Sequence, residues 1–268
     1  MKLEAYIVNA FADALAQGNQ AGVVLHETPL PEHLMQALAF DIGKAETAFV
    51  HQTTEGFFIR WFSPLKEMPL CGHATLAAAK VICWKFRLYG LRFKYAQGEI
   101  PVEVSEDGCI GMSFPLDDYK ETPIETAYMD FFDLDADDCI GCIQGASTHK
   151  VALILKQDVN IKSLCPDLKK MNGYTGLCTN GIAVSKQSAT FDFETRYFNP
   201  WAGVDEDCVT GSVHTVLGNY WGKQLGKTAL TACQCSQRPG VIKLALKGNG
   251  KVMISGKAKI VFSGYFES

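Results

Sequence analysis

The sequence has no strong excess of either charge and no long apolar run. Its 268 residues include 25 lysines and arginines against 29 aspartates and glutamates, a formal net charge of -4. This balance provides no basic field that would attract phosphates, so we expect no nucleic-acid partner. No segment approaches the roughly 20 consecutive apolar residues of a membrane-spanning helix, so we expect no membrane association.

An export signal is also missing, because Glu4 interrupts the apolar region that a signal peptide requires. We therefore expect a cytoplasmic protein whose ten cysteines are reduced thiols rather than a disulfide framework. Two close pairs, Cys139 with Cys142 and Cys233 with Cys235, are candidates for a shared zinc ion. Neither spacing recurs and no histidine stands at ligand spacing beside them, so we expect no metal.

Several catalytic and cofactor-binding motifs are absent as well. The sequence contains no G-x-S-x-G nucleophile elbow, no glycine-rich phosphate loop and no H-E-x-x-H zinc motif. What it does contain is 47% hydrophobic residues, with 24 glycines spread along the chain. That composition is typical of a turn-rich α/β or α+β protein with a sizeable core.

The apolar pattern predicts two enclosed helices, which begin at Gly72 and Gly211 and are apolar on nearly all sides. A third helix is predicted between Pro31 and Gly43, which are typical start and stop residues. The predicted strands are residues 3–9, 21–25, 47–52, 57–62, 91–95, 99–104, 109–114, 151–155, 181–185, 190–198, 241–246, 252–255 and 259–266.

Two segments of the chain repeat each other. Residues 60–64 read RWFSP and residues 196–200 read RYFNP, and each segment is soon followed by the glycine that opens an enclosed helix. We infer an internal duplication, with chance similarity of two short segments as the alternative. The expected halves are residues 1–116, completed by about 257–268, and residues 117–256, joined by a turn-rich acidic stretch at 116–138.

The starts of the two enclosed helices are candidate anion sites. Backbone amides around Gly72 and Gly211 are unpaired in the first turn and lie at the positive end of the helix dipole. They suit a carboxylate, and Thr210 and Ser212 would add hydroxyl donors. The alternative is ordinary helix capping by Thr210 and Ser212.

Polar residues near these helix starts are candidates for chemistry. His73 and His214 lie in the two first turns, where the dipole favours a neutral ring; we favour His73 as functional, whereas His214 could simply pack in the core. Of Asp205, Glu206 and Asp207, only one need be functional. Each of these residues could instead have a structural role only.

Glu46 and Cys71 are the other two candidates. Glu46 interrupts an apolar run, and a carboxyl group in such surroundings has a raised pKa, as a proton-shuttling residue requires. A solubilising charge at a strand edge is the alternative for Glu46. Cys71 precedes the first helix glycine, where a thiol can act as nucleophile or base.

Three segments taken together resemble the phenazine-biosynthesis PhzF-like isomerase family. They are residues 43–49 (GKAETAF), 71–75 (CGHAT) and 206–212 (EDCVTGS), and the resemblance spans the whole chain. It implies a diaminopimelate epimerase-like fold of two pseudo-symmetric halves, each a curved, mostly antiparallel sheet around a central helix, with the active site between them.

The resemblance also implies roles for the candidate residues. Glu46 would be the acid/base that moves a proton between carbons, and His73 and Asp207 would be polar partners of the substrate. The pocket would be lined by Gly72, Gly211 and Ser212. The family's named member isomerises trans-2,3-dihydro-3-hydroxyanthranilate without metal or organic cofactor, and its members are typically homodimers. We therefore expect a small amino- or hydroxy-substituted carboxylic acid as substrate.

The sequence departs from the family pattern at two loop positions, where Cys208 and Gln20 stand in place of frequent prolines. Cys71 occupies the place of one catalytic cysteine of the related two-thiol racemases, but Thr210 occupies the other. This disfavours two-thiol chemistry. A one-thiol epimerase or dehydratase that uses Cys71, and a non-catalytic binding protein on the same fold, are the remaining alternatives.

Overall fold

A computed structural model describes residues 2–267, which form eighteen strands and five α-helices. The first strands are β1 (Lys2–Ala10), β2 (Asn19–His26), β3 (Glu46–Thr53), β4 (Gly56–Phe62), β5 (Glu67–Met68), β6 (Gly90–Tyr95), β7 (Gly98–Val104) and β8 (Ile110–Pro115). Among them lie the helices α1 (Glu32–Ile42) and α2 (Gly72–Phe86).

The later strands are β9 (Tyr119–Glu121), β10 (Cys139–Gly145), β11 (Val151–Leu155), β12 (Ile182–Gln187), β13 (Phe193–Asn199), β14 (Val204–Asp207), β15 (Ala229–Gln234), β16 (Gly240–Lys247), β17 (Lys251–Gly256) and β18 (Ala258–Glu267). The later helices are α3 (Thr126–Phe132), α4 (Leu168–Asn172) and α5 (Gly211–Leu225). Short 3-10 helices occur at Ala136–Asp138, Ile161–Ser163, Leu177–Asn180 and Pro200–Ala202.

The chain divides into two compact units. The first contains the chain up to Ser113 and again from Ser255 onward, and the second is Phe114–Ile254. The first unit takes in the end of the chain because β18 pairs antiparallel with β1 along its whole length. The first and last strands thereby belong to one sheet.

Parallel and antiparallel strand pairs follow one another in the same order in the two units. In the first unit, β1–β2 is antiparallel, β2–β3 parallel, β3–β4 and β4–β5 antiparallel, β4–β6 parallel and β6–β7 antiparallel. In the second unit, the pairs β10–β11, β11–β12, β12–β13, β13–β14, β13–β15 and β15–β16 follow the same order. The internal duplication predicted from the sequence is therefore present in the topology.

The arginine of each repeated segment fastens a short strand to its neighbour. Arg60 on β4 lies 2.7 Å from Glu67 on β5, and Arg196 on β13 lies 2.8 Å from Glu206 on β14. Each guanidinium group also lies over the ring of the phenylalanine two residues further on. Charge-assisted bonds of this kind hold the chain that leads into each enclosed helix.

The two 15-residue helices are enclosed as predicted. α2 packs against β1, β2, β3 and β18, and α5 packs against β9, β15 and β16. In α5 the enclosure depends on a glycine, since a Cβ atom at Gly222 would lie 2.5 Å from the Leu246 side chain. Within residues 2–267, no helix is both long and apolar enough to cross a membrane.

The first helix agrees with its predicted end signals. α1 begins directly after Pro31 and ends at Ile42; the next residue, Gly43, caps it and has the left-handed φ of 62° that favours glycine. Its buried residues Met35 and Leu38 face Phe49 on β3 in one apolar cluster. Packing against the sheet thus stabilises a short helix that would be marginal on its own.

The acidic stretch 116–138 is not the turn-rich linker that we predicted, because it contains β9 and α3. Tyr128, Phe131 and Phe132 in α3 are buried in the core of the second unit. Their spacing places three aromatic rings on one helical face. The free energy gained by burying these rings outweighs the preference of the surrounding polar residues for a loop. β10 and β15 were also not predicted, since their sequences, CIGCIQG and ALTACQ, lack a clear alternation.

We predict that Gly181→Ala destabilises the protein much more than Gly203→Ala. Both glycines have positive φ, but a Cβ atom at Gly181 would lie 1.9 Å from the Tyr197 hydroxyl, whereas one at Gly203 would meet no atom of the described residues within 4 Å. Backbone strain alone should lower the free energy of unfolding by about 1 kcal/mol, and the added clash should raise the loss to about 3 kcal/mol or more. Urea denaturation measures the difference; equal losses would contradict the placement of the Tyr197 hydroxyl beside Gly181.

Candidate active site

Glu46, Cys71 and His73 come together where β3 starts and α2 starts. The Cys71 carbonyl accepts hydrogen bonds from the backbone N–H and the hydroxyl of Thr75, at 3.0 and 2.6 Å, which fixes the first turn of the helix. Glu46 is the first residue of β3, and α2 packs against that strand. The fold of the first unit therefore places a carboxyl, a thiol and an imidazole group side by side.

The three groups are within contact distance of one another. His73 Nε2 lies 3.2 Å from Glu46 Oε2, and Cys71 Sγ lies 3.5 Å from His73 Nδ1. Cys71 also forms a side-chain hydrogen bond with Glu46. All three side chains are sheltered, with exposures of 18% for Glu46 and 7% for His73, and Cys71 is buried as well.

Burial changes the acidity of the candidate acid. Desolvation raises the pKa of Glu46 above its ordinary value, and the hydrogen bond from Cys71 opposes this shift. The neutral carboxylic acid is favoured because a carboxylate loses its hydration in an apolar setting. A carboxyl group with a raised pKa is a stronger base once ionised, as proton abstraction from carbon requires.

Asn19 also belongs to this cluster, although its place in the sequence does not indicate a role. It is buried on β2, and its Nδ2 atom lies 3.3 Å from His73 Nδ1. The two residues are 54 positions apart in the chain, so no local pattern could connect them. The contact fixes the ring of His73 on the side opposite Glu46.

The second unit has its own polar cluster around Asp207. The Thr210 hydroxyl donates to Asp207 Oδ2 at 2.5 Å, and the side-chain amide of Gln234 donates to the Asp207 carbonyl. Gln234 also accepts from the Thr210 backbone N–H at 2.8 Å. Gln234 is fully buried and holds the segment before α5, a role that the sequence analysis missed.

The structure separates the three acidic residues before α5. Glu206 forms an ion pair with Arg196, whose guanidinium group donates two hydrogen bonds of 2.8 Å to the carboxylate. Asp205 is exposed. Asp207 is half-buried, and its carboxylate accepts a hydrogen bond from the Thr210 hydroxyl.

The residues that precede the two enclosed helices make no side-chain capping bond. Thr210 precedes α5 but makes no side-chain capping bond, because its hydroxyl donates to Asp207 instead. The capping alternative is therefore wrong for Thr210. Gly72 and Gly211 are half-buried, and Ser212 is exposed in the first turn of α5. A Cβ atom at Gly211 would meet no described atom within 4 Å.

Comparison with known proteins gives the family. A family model described as phenazine biosynthesis-like protein matches residues 8–264. The chain belongs to this family. A human phenazine biosynthesis-like domain-containing protein is 37% identical over 292 residues, which cover 98% of the chain and 99% of the relative. An uncharacterized isomerase of Pseudomonas aeruginosa is 36% identical, with 98% of each chain covered.

Solved structures of the phenazine biosynthesis-like family have the same fold. The crystal structure of a PhzF-family protein from Enterococcus faecalis is 31% identical, covers all of both chains and gives a TM-score of 0.92. A hydroxyproline epimerase from Agrobacterium vitis, only 7% identical, gives a TM-score of 0.61 over 98% of this chain and 92% of its own. The predicted family and epimerase-like α/β fold are confirmed, and the family supports an isomerase or epimerase type of activity.

The two departures from the family pattern have structural partners of their own. The Gln20 side chain donates to Asn9 Oδ1 at 3.0 Å and so links β2 to β1. Cys208 is half-buried, and burial raises the pKa of its thiol. The charge of the adjacent Asp207 raises the pKa of Cys208 further. Gln20 is not part of the contacts described for Glu46 or Asp207.

His214 packs in the core of the second unit. Its Nδ1 atom lies 2.8 Å from the Thr210 carbonyl, and its ring stacks on Phe193. Its Nε2 atom is buried without a hydrogen-bond partner among residues 2–267. Burial lowers the pKa of His214 to about 4. This histidine is therefore not a counterpart of His73.

Lys150 and Tyr197 form a further contact that the sequence did not reveal. The Lys150 ammonium group lies 2.6 Å from the Tyr197 hydroxyl, which itself donates to the Asn180 carbonyl at 2.7 Å. Burial lowers the pKa of Lys150 to about 8, and the charge of Asp207 opposes that shift. Gly181 permits the contact, because the Tyr197 hydroxyl occupies the space of its missing side chain.

One group of side chains could hold a metal ion. Among the residues that the structure describes, Glu46, Cys71 and His73 are the only three such side chains whose ligand atoms all lie within 4.8 Å of one another. The two cysteine pairs considered in the sequence are not part of any such group, although Cys233 and Cys235 have sulfur atoms 3.4 Å apart.

We predict that His214 makes the protein sensitive to acid. The unfolded chain takes up a proton as the pH falls below about 6.5, whereas the buried ring resists protonation until about pH 4. Stability should therefore fall through this window, by up to about 3 kcal/mol. His214→Gln should flatten this part of the stability profile, and His33→Gln, at an exposed site, should not.

Urea denaturation between pH 4 and 7 measures the two profiles. NMR titration of the His214 ring in the unmodified protein gives a second measurement that does not depend on a folded variant. A ring that titrates near pH 6.5 would contradict the prediction.

Proposed function

We propose that this protein is a cofactor-independent isomerase that moves a proton between carbons of a small amino- or hydroxy-substituted carboxylic acid. The observation that carries this proposal is the sheltered carboxyl group of Glu46, which contacts both the Cys71 thiol and the His73 imidazole. Membership of a family with isomerase and epimerase-fold relatives supports the reaction class.

Glu46 acts as both base and acid in this scheme. Its ionised carboxylate removes a proton from a carbon next to an electron-withdrawing group, and the resulting carboxylic acid returns the proton to a different carbon. No net proton is gained or lost. Its raised pKa makes Glu46 basic enough for abstraction, and its shelter limits exchange of the proton with water. His73 holds the carboxyl group in position at 3.2 Å.

The remaining residues bind the substrate. Asp207, oriented by the Thr210 hydroxyl, receives an amino or hydroxyl group of the substrate. We also propose Gly72, Gly211 and Ser212 as substrate-binding residues, because first-turn amides and the helix dipole favour an anion such as a carboxylate. We also propose that the protein is cytoplasmic, and that it works as a homodimer, as the family resemblance implies.

A second candidate function uses the thiol of Cys71 as the base of a one-thiol epimerase or dehydratase. Its support is the position of Cys71 directly before α2, within 3.5 Å of His73. In that mechanism the Cys71 sulfur, not the Glu46 oxygen, would take the carbon proton. The two mechanisms predict different losses for the same pair of variants.

We predict that Glu46→Gln abolishes proton transfer while the protein stays folded. Removal of a general base typically lowers the rate about 10²- to 10⁴-fold, and the amide keeps the shape of the side chain. The assay is NMR in D2O with dihydro-hydroxyanthranilate and a panel of small amino and hydroxy acids, followed for new products and for deuterium at carbon. Glu4→Gln, which alters a surface pair with Lys85, is the matched control.

Substantial activity of folded Glu46→Gln would overturn the role of Glu46. Binding of panel compounds by the unmodified protein, without turnover or exchange, would instead favour a non-catalytic ligand-binding protein.

We predict that Cys71→Ser lowers activity by no more than roughly tenfold, because a serine hydroxyl can still donate to Glu46. One-thiol chemistry requires a far larger loss, similar to that of a missing nucleophile. Cys83→Ser, at another buried cysteine of α2, controls for packing effects. Comparison of kcat/KM for the three proteins decides between the two mechanisms.

A further inference from the structure

The cluster at the start of α2 combines three different kinds of metal ligand. Glu46 offers a carboxylate oxygen, Cys71 a sulfur and His73 an imidazole nitrogen, and their ligand atoms lie within 4.8 Å of one another. Thiolate, imidazole and carboxylate are the side chains that bind Zn²⁺ in proteins. The proton-transfer scheme uses Glu46 and His73 but gives the Cys71 sulfur no chemical step.

Two of the three distances between these atoms are close to those of a tetrahedral zinc site. Zinc bonds of about 2.0–2.1 Å to nitrogen, 2.0–2.2 Å to oxygen and 2.3 Å to sulfur place nitrogen and oxygen about 3.3 Å apart, and nitrogen and sulfur about 3.6 Å apart. In this protein His73 Nε2 lies 3.2 Å from Glu46 Oε2 and 4.0 Å from Cys71 Sγ. A shift of a few tenths of an ångström therefore brings these two pairs of atoms to the distances of a tetrahedral zinc site, and the third pair, the Glu46 oxygen and the Cys71 sulfur, lies within 4.8 Å.

We propose that Glu46, Cys71 and His73 form a binding site for Zn²⁺ or a similar soft divalent ion, and that the bound ion blocks proton transfer by Glu46. The blocking effect rests on the proposed function of Glu46. The metal site does not, since it needs only the three side chains. The ion would be an inhibitor of the enzyme, not its cofactor.

The surroundings of His73 suit coordination through Nε2. A histidine ligand usually donates its other ring N–H to an oxygen, which fixes the ring and strengthens the bond to the metal. Asn19 lies 3.3 Å from His73 Nδ1, and an amide side chain can present either its oxygen or its nitrogen. Rotation of this amide would let Asn19 accept from Nδ1–H while Nε2 binds the ion.

Binding would change the protonation of the cluster. The Cys71 thiol gives its proton to solvent when the sulfur coordinates, and Glu46 coordinates as the carboxylate. With three protein ligands, a fourth position stays open for water or for an anionic group of a small molecule. The oxygen of Glu46 that binds the ion can no longer accept a proton from carbon.

Cobalt(II) is the probe for this site, because it replaces zinc in tetrahedral sites and absorbs light. Titration of the metal-free protein without substrate should give visible bands of tetrahedral cobalt and a thiolate-to-cobalt charge-transfer band at one equivalent. Zn²⁺ should displace the cobalt. Cys71→Ser should lose the charge-transfer band. Glu46→Gln should weaken binding by at least about tenfold while the band remains, because loss of a group that only orients a ligand already costs that much.

A double variant, Cys233→Ala with Cys235→Ala, is the matched control. It removes the other pair of neighbouring thiols, so it should leave the cobalt spectrum unchanged. Circular dichroism checks that each variant is folded. A missing charge-transfer band in the unmodified protein, or a band that survives in Cys71→Ser, would overturn the metal site.

The activity measurement tests the blocking effect separately. Zn²⁺ should inhibit proton transfer at the concentration at which it displaces cobalt, and a chelator should restore activity. Full activity of the zinc-loaded protein would overturn the blocking effect. A protein with no activity towards the panel would count against the proposed function alone, since the cobalt spectrum decides the metal site without turnover.

Discussion

The enclosure of an apolar helix in each unit is the constraint on which the rest of the structure depends. α2 is buried along almost its whole length, so the strands around it must curve to cover it. Polar groups at its start can stay only if they are bonded, as the Thr75 hydroxyl is to the Cys71 carbonyl. This requirement holds Cys71 and His73 against β3 and so places them beside Glu46.

A duplicated topology carries different chemistry in its two copies. The phenylalanines of the repeated segments, Phe62 and Phe198, pair with Thr47 and Ile182. The residues just before these partners are Glu46 in the first unit and Gly181 in the second. The missing side chain of Gly181 admits the Tyr197 hydroxyl, whereas Glu46 supplies a carboxyl group. The shared fold therefore fixes positions, and single side chains decide what each position does.

The sequence predicts those parts of this protein that depend on local spacing. Enclosed helices, the repeated segments and the adjacent Cys71 and His73 all lie within short windows. Asn19 and Gln234 could not be predicted, because their partners His73 and Thr210 are 54 and 24 residues away. The helix α3 was missed for another reason, since its three buried rings are surrounded by acidic residues that are typical of a loop.

The acidity of Glu46 results from two opposing effects within one small cluster. Burial favours the neutral acid, and the hydrogen bond from Cys71 favours the carboxylate. A hydroxyl group would stabilise the carboxylate equally well by donating a hydrogen bond to it. Thr210, which also precedes an enclosed helix, donates its hydroxyl to Asp207 in this manner. Proton transfer by Glu46 therefore does not require a thiol at position 71. The thiol adds a soft ligand beside an imidazole and a carboxylate, and this opens the candidate site of the first unit to metal ions, whereas a hydroxyl there would not.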